Sequence, residues 1–267
     1  MPKLSIREIQ DRKKRGPKIT MLTAYDYPTA RLADQGGMDL VLVGDSLGMV
    51  CLGYPDTVAV TMDEMVHHTA AAARGAERAV VVGDLPFLSY QVSAEDAVRN
   101  AGRLVKEARA DCVKLEGGRS QADKVAAIVR AGIPVMGHIG LTPQTATQLG
   151  GFKVQGRNPE AVRTLLDDAA ALEEAGAFAI VVECVPSSVG ARITDQVSVP
   201  TIGIGAGPAC DGQVLVFHDL VGLFERFVPK FVKRYANLAD EIRAAVAAFR
   251  AEVEGGTFPG DEHQFGD

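Results

Sequence analysis

LVLVGDS (residues 40–46) reads as a buried strand that ends in chemistry: four apolar residues, then Gly44, then Asp45 and Ser46. The same pattern recurs along the chain. AVVVGD (79–84) stops at Asp84, CVKLEGG (112–118) carries Lys114 and Glu116, PVMGHIG (134–140) carries His138, and AIVVECVPS (179–187) carries Glu183. Short, nearly continuous runs rich in Val and Ile suit parallel strands covered on both faces. Polar residues that must meet at one site therefore come from far-apart strand ends. A closed parallel barrel gathers the carboxyl ends of all its strands on one face. The pattern predicts the α/β class and, within it, a (β/α)8 TIM barrel.

Working outward, strands are predicted at 19–23, 39–44, 79–83, 112–116, 134–138, 178–183, 201–204 and 213–217. Helical patterns lie between most of them. Thr61 and Glu64 open 61–77 with capping-box spacing. Residues 93–109 open after Ser93. Asn158-Pro159 opens 158–175 with an N-cap followed by proline at the first helical position. There Val162, Leu165, Leu166, Ala169 and Leu172 share one apolar face. Ser5 and Glu8 make another capping box, so an extra helix precedes the first strand, either plugging the bottom of the barrel or packing on a neighbour. Its basic end, Arg12 to Arg15, reads as a solvated helix terminus closed by Gly16-Pro17. Strand and helix alternate without a long linker, so residues 1–267 are expected to form one barrel domain. Too few residues separate strands seven and eight for a crossover helix, which takes a dozen or more. A long Ala-rich helix near 236–253 packs on its own barrel or swaps onto a partner. The polar stretch GLTPQTATQLGGFKVQGR (140–157) is a lid or a passive surface loop.

Lys plus Arg number 28 and Asp plus Glu 34, a net charge of −6. This is ordinary for a soluble chain and argues against nucleic acid or an anionic membrane as partner. No run approaches the roughly 18 apolar residues of a membrane span. The opening MPKLSIREIQDRKKRG has no apolar core of a secretory signal, so a cytoplasmic location is expected. Cys51, Cys112, Cys184 and Cys210 show neither metal spacing nor the density of a disulfide scaffold, and read as buried reduced thiols.

Asp45, Asp84 and Glu116 each end a strand, so in a barrel all three face one bowl. Two unit charges about 4 Å apart cost about 4 kcal/mol at an effective dielectric near 20. Protons or a cation must relieve that repulsion, and hard oxygen ligands without His or Cys at metal spacing favour Mg²⁺ or Mn²⁺ over Zn²⁺. The competing reading gives each acid its own cap or salt bridge. Lys114 shares a strand face with Glu116 and needs an anion, either a substrate carboxylate or one of these acids. Glu183, after an apolar run, is placed as a proton acceptor, a further ligand or a cap. His138 polarises a carbonyl, contacts a second substrate or fills the core. TIGIGAG (201–207) has the flavour of a phosphate loop without its GxGxxG order, and close backbone packing explains its glycines as well.

The runs MLTAYDYPTA, LVLVGDSLGMV, VVGDLPF, VKLEGG, GHIGLTPQ, IVVECVP, PTIGIGAG and CDGQVLV occur in this order. Together, from about residue 4 to FPGDEHQF near the end, they resemble the ketopantoate hydroxymethyltransferases, barrels of the phosphoenolpyruvate/pyruvate-binding kind. The resemblance implies transfer of a hydroxymethyl group from 5,10-methylenetetrahydrofolate to 3-methyl-2-oxobutanoate through a Mg²⁺-stabilised enolate. It implies Mg²⁺ on Asp45, Asp84 and Glu116, and keto-acid binding by Asp45, Ser46, Asp84 and Lys114; His138, on its own reading, joins the substrate-binding residues. It implies Glu183 as the proton acceptor and a homo-oligomer, typically a decamer. A Mg²⁺-dependent lyase of the isocitrate-lyase kind is a weaker alternative, because no Cys-Gly-His occurs. A catalytically silent oligomeric scaffold is another, and leaves the full set of strand-end acids without a purpose.

Overall fold

Eight strands close into one fully parallel barrel in sequential order: β1 Ile19–Thr23, β2 Leu40–Val43, β3 Val80–Asp84, β4 Cys112–Glu116, β5 Val135–Gly140, β6 Ala179–Glu183, β7 Thr201–Ile204 and β8 Gly212–Leu215. The computed structural model describes residues 3–266. The (β/α)8 expectation holds. Strand boundaries move by up to two residues. β5 runs on to Gly140 because its pairing with β6 continues there, and the Leu141 N–H then donates to the Glu183 carbonyl at 2.9 Å. β8 starts at Gly212, which pairs with Ile19.

The helices follow their caps. Both predicted capping boxes form, at Ser5/Glu8 and Thr61/Glu64, and the Asn158 side chain accepts the Ala161 N–H. Leu165, Ala169 and Leu172 are buried, as the apolar face requires. A helix not read from the sequence, Tyr27–Gln35, is started by Asp26, whose carboxylate accepts the Thr29 N–H. Between β7 and β8 the chain turns back without a helix, through Gly205 and Gly207 at positive φ. Close packing explains Gly207 of this run: a side chain there would strike Ser187. Within the span expected as one domain, the chain packs as two compact units, Met1–Val216 and Phe217–Asp267. The barrel belongs to the first. The predicted last helix, Leu238–Glu254, belongs to the second.

The barrel interior is filled by alternate strand residues. Ile19, Met21, Leu40, Leu42, Val80, Val82, Cys112, Met136, Val181, Ile202 and Val214 form one buried cluster. Ile9 of the N-terminal helix Ile6–Arg15 belongs to the same cluster and is fully buried, with Leu4 and Ile6 packed beside it. The extra helix is therefore the floor of the barrel. Its basic end is not simply solvated. Arg12 pairs with Asp39 at 2.6 Å, and Lys13 reaches Asp211 at 2.8 Å and the Thr194 carbonyl at 2.9 Å. These bonds tie the helix to the amino ends of the strands. Ile9→Val removes one methylene from this plug and is expected to cost about 0.5–1.5 kcal/mol. The midpoint of urea unfolding should fall accordingly, while turnover stays unchanged.

Cys112 and Cys210 are buried, but Cys184 is only partly so and Cys51 is exposed, which corrects the uniform expectation. No described helix is long and apolar enough to cross a membrane.

Candidate active site

Above the apolar layers, the inward positions of the strands turn polar at their carboxyl ends. Register brings Lys114 beside Asp84 and His138 beside Glu116. Asp45, just past β2, Asp84, Lys114, Glu116 and His138 are all buried. Glu183 at the end of β6 is the more open acid, its side chain 16% exposed against 2% for Glu116. Gly140 lies beside it at φ +97°, and a side chain there would strike the Glu183 carbonyl. Cys184, immediately after Glu183, also takes a positive φ of 49°, a strained choice for a residue with a side chain. Its N–H donates to Ile204 O at 2.9 Å and its carbonyl accepts the Gln155 N–H at 2.8 Å. The turn that aims Glu183 is thus held from both sides.

A single run of contacts joins the acids. The Asp45 N–H donates to Asp84 Oδ2 at 3.3 Å. Lys114 Nζ donates to both Asp84 oxygens at 2.8 Å and lies 3.9 Å from Glu116 Oε1. His138 Nδ1 lies 3.5 Å from Glu116 Oε1, and its Nε2 lies 3.2 Å from Glu183 Oε2. Neither ring nitrogen makes a well-directed hydrogen bond; the imidazole bridges two carboxylates by charge. Ser46 starts the short helix Leu47–Val50 without capping it, and its hydroxyl instead pairs with the Tyr25 hydroxyl at 2.8 Å.

The electrostatics follow from burial. Loss of water pushes the Asp45 carboxyl well above the usual carboxylate range, and the nearby Asp84 and Glu116 charges push it further. Burial works against the charge on Lys114, but Asp84, Glu116 and Asp45 outweigh it and hold the ammonium more firmly than usual. Burial and Lys114 both work against a charge on His138. The Glu116 and Glu183 contacts outweigh them and lift it to about 9.

Lys114 thus finds one of the acids as its partner, Asp84. What remains is a surplus of negative charge centred on Asp45. Two buried carboxylates from adjacent strands, with hard oxygens and no sulfur, suit Mg²⁺, which takes few protein ligands and keeps water or substrate oxygens for the rest. Among the described residues, no three His, Cys, Asp or Glu side chains are arranged to hold a metal ion between them. Glu116 is already engaged: its Oε2 accepts the Gln144 N–H at 3.0 Å. Asp84 is engaged too, by Lys114, and what singles out Asp45 and Asp84 as the pair that could share a cation is their direct contact, the Asp45 N–H on Asp84 Oδ2.

Three residues enter that the sequence reading passed over: Tyr25, Tyr90 and Gln144. Gln144 sits in the stretch seen as lid or surface loop. That stretch is divided. Leu141, Thr142, Gln144 and Ala146 are buried, whereas Phe152 and Val154 are exposed. Pro143, which opens the 3₁₀ turn Pro143–Thr145, marks a turn in the sequence but does not say which way Gln144 faces. A cavity of about 410 Å³ lies on the outer side of the β4–β5 rim, lined in part by Gly117, Gly140, Asn158 and Asp168. None of the residues predicted for the site lines it.

The family model for ketopantoate hydroxymethyltransferase matches residues 3–261. The 3-methyl-2-oxobutanoate hydroxymethyltransferase of Moorella thermoacetica is 63% identical over 98% of this chain and 98% of its own length. That of Syntrophobacter fumaroxidans is 62% identical over 93% of this chain and 88% of its own. In three dimensions, a phosphonopyruvate hydrolase solved with oxalate and Mg²⁺ superimposes with a TM-score of 0.62. The two chains are 18% identical, and the match covers 100% of this chain and 92% of that one. At that identity the likeness is one of fold.

Proposed function

This chain belongs to the ketopantoate hydroxymethyltransferase family, and from that premise we propose that it transfers a one-carbon unit from 5,10-methylenetetrahydrofolate to 3-methyl-2-oxobutanoate, giving ketopantoate for pantothenate synthesis. It is a transferase enzyme. The observation that carries the assignment of residues is the unbroken run of contacts from Asp45 through Asp84, Lys114, Glu116 and His138 to Glu183. A cation-binding pair of acids and a more open carboxylate thus share one mouth.

Asp45 and Asp84 would hold Mg²⁺, and the metal-bound relative in fold, with oxalate as a small dicarboxylate, is consistent with this. When bound, such a cation withdraws electrons from the keto group and acidifies the neighbouring carbon. The rest falls to the chain. Lys114, held by Asp84, keeps a third N–H donor for the substrate carboxylate. Ser46 presents its hydroxyl, oriented by Tyr25, to the same group. Glu183 takes the C3 proton, the freed electron pair forms the bond to the one-carbon unit, the bonds from that carbon to the folate nitrogens break to release tetrahydrofolate, and water supplies the oxygen of the hydroxymethyl group. His138, set between Glu116 and Glu183, keeps the accepting carboxylate aimed at the mouth. The family likeness also supports a homo-oligomer, as a decamer, in the cytoplasm. The lyase alternative rests on fold neighbours alone.

Proton exchange at C3 of 3-methyl-2-oxobutanoate in D₂O, followed by NMR without folate, tests this reading. Exchange should require enzyme and Mg²⁺ together. Absence of metal-dependent exchange, or its persistence in Asp45→Asn, overturns it.

A further inference from the structure

The geometry points to Gln144 as a positioning residue that, together with Tyr90, fixes the orientation of Asp45 for cation binding while its backbone N–H holds Glu116 in place. This rests on the proposed cation site at Asp45 and Asp84.

Every polar atom of the Gln144 side chain is used. Nε2 donates to Asp45 Oδ2 at 2.9 Å and to Leu85 O at 2.9 Å. Oε1 accepts the Tyr90 hydroxyl at 2.7 Å and, more distantly, Gln91 Nε2 at 3.4 Å. The backbone N–H donates to Glu116 Oε2 at 3.0 Å. Both Gln144 and Tyr90 are buried, so these groups have no water to fall back on. One residue on the β5 loop therefore grips acids from β2 and β4 at once.

The amide has only one sensible orientation. Asp45 Oδ2 and Leu85 O are both acceptors, so the NH₂ end must face them. Tyr90 enforces this from the other side. Its hydroxyl accepts the Glu116 N–H at 3.1 Å, which leaves its one proton to donate, and Gln144 Oε1 is the nearest acceptor. Asp45 is thereby held by one oxygen while the other stays available. Outer-shell donors of this kind typically change metal affinity by about 10–100-fold.

Mn²⁺ binding to the full-length, substrate-free protein, read from the EPR signal of free Mn²⁺, tests the assignment. Gln144→Leu should raise the Mn²⁺ Kd by about 10–100-fold with unchanged stoichiometry per folded chain. Tyr90→Phe should weaken binding in the same direction while leaving the amide in place, and it decides the matter if Gln144→Leu does not fold. A structural role alone would lower the number of sites and leave their Kd untouched. Wild-type Kd in both variants, with binding lost in Asp45→Asn, overturns the role of Gln144 and leaves the cation site standing. Wild-type Kd in Asp45→Asn overturns the cation site itself.

Discussion

Glu183→Gln should slow exchange of the C3 proton of 3-methyl-2-oxobutanoate by about 10²–10⁴-fold, the usual contribution of a positioned general base. The substitution keeps the shape of the side chain and removes its ability to take a proton. Glu183 is the one acid of the site with appreciable solvent exposure, and its contact in the cluster is to His138 rather than to Asp45 or Asp84. Mn²⁺ binding and keto-acid binding should therefore survive, which separates loss of the base from loss of the site. Exchange at the wild-type rate would remove Glu183 from the role and leave the cation pair intact.

Lys114→Met should destabilise the metal-free protein by about 3–5 kcal/mol, the range seen when one partner of a buried ion pair is removed. Methionine fills the same space without the charge. Asp84 would lose the two 2.8 Å bonds to Nζ, and three buried acids would face one another with His138 as the nearest remaining cation. Urea unfolding in EDTA measures the loss. Added Mg²⁺ should recover part of it, since a ligand that binds only the folded state stabilises that state in proportion to its occupancy. Wild-type stability in EDTA would mean that Lys114 does not balance the acids in the resting protein.

The barrel was legible because its strands are apolar on both faces and its helices announce themselves with caps; Thr61, Asn158 and Ser5 all act as their spacing requires. The site was legible where a residue ends a strand. Asp84, Lys114, Glu116 and Glu183 follow from strand alternation alone, and Asp45 from the same run one step later. Tyr90 and Gln144 were not legible, because they sit in connections whose path no periodicity specifies. Gln144 reaches Asp45 across 99 positions of sequence, through a turn whose shape depends on Pro143 and on burial of its flanks. The ion pairs of Arg12 and Lys13 escaped notice for a related reason. Four consecutive basic residues look alike until a docked helix selects which of them face the barrel.

That docking has a practical corollary. With Ile9 in one buried cluster with interior side chains of all eight strands, the helix Ile6–Arg15 is the base of a cup. A chain trimmed to begin at Gly16 would be a tube with two mouths, and water would wet the greasy layers beneath the acids from below. The carboxylates would then feel a more polar surrounding on their underside, and the charge imbalance that favours a cation would soften. Shortening the protein at a point far from the chemistry should therefore weaken its hold on divalent ions before any catalytic group is touched.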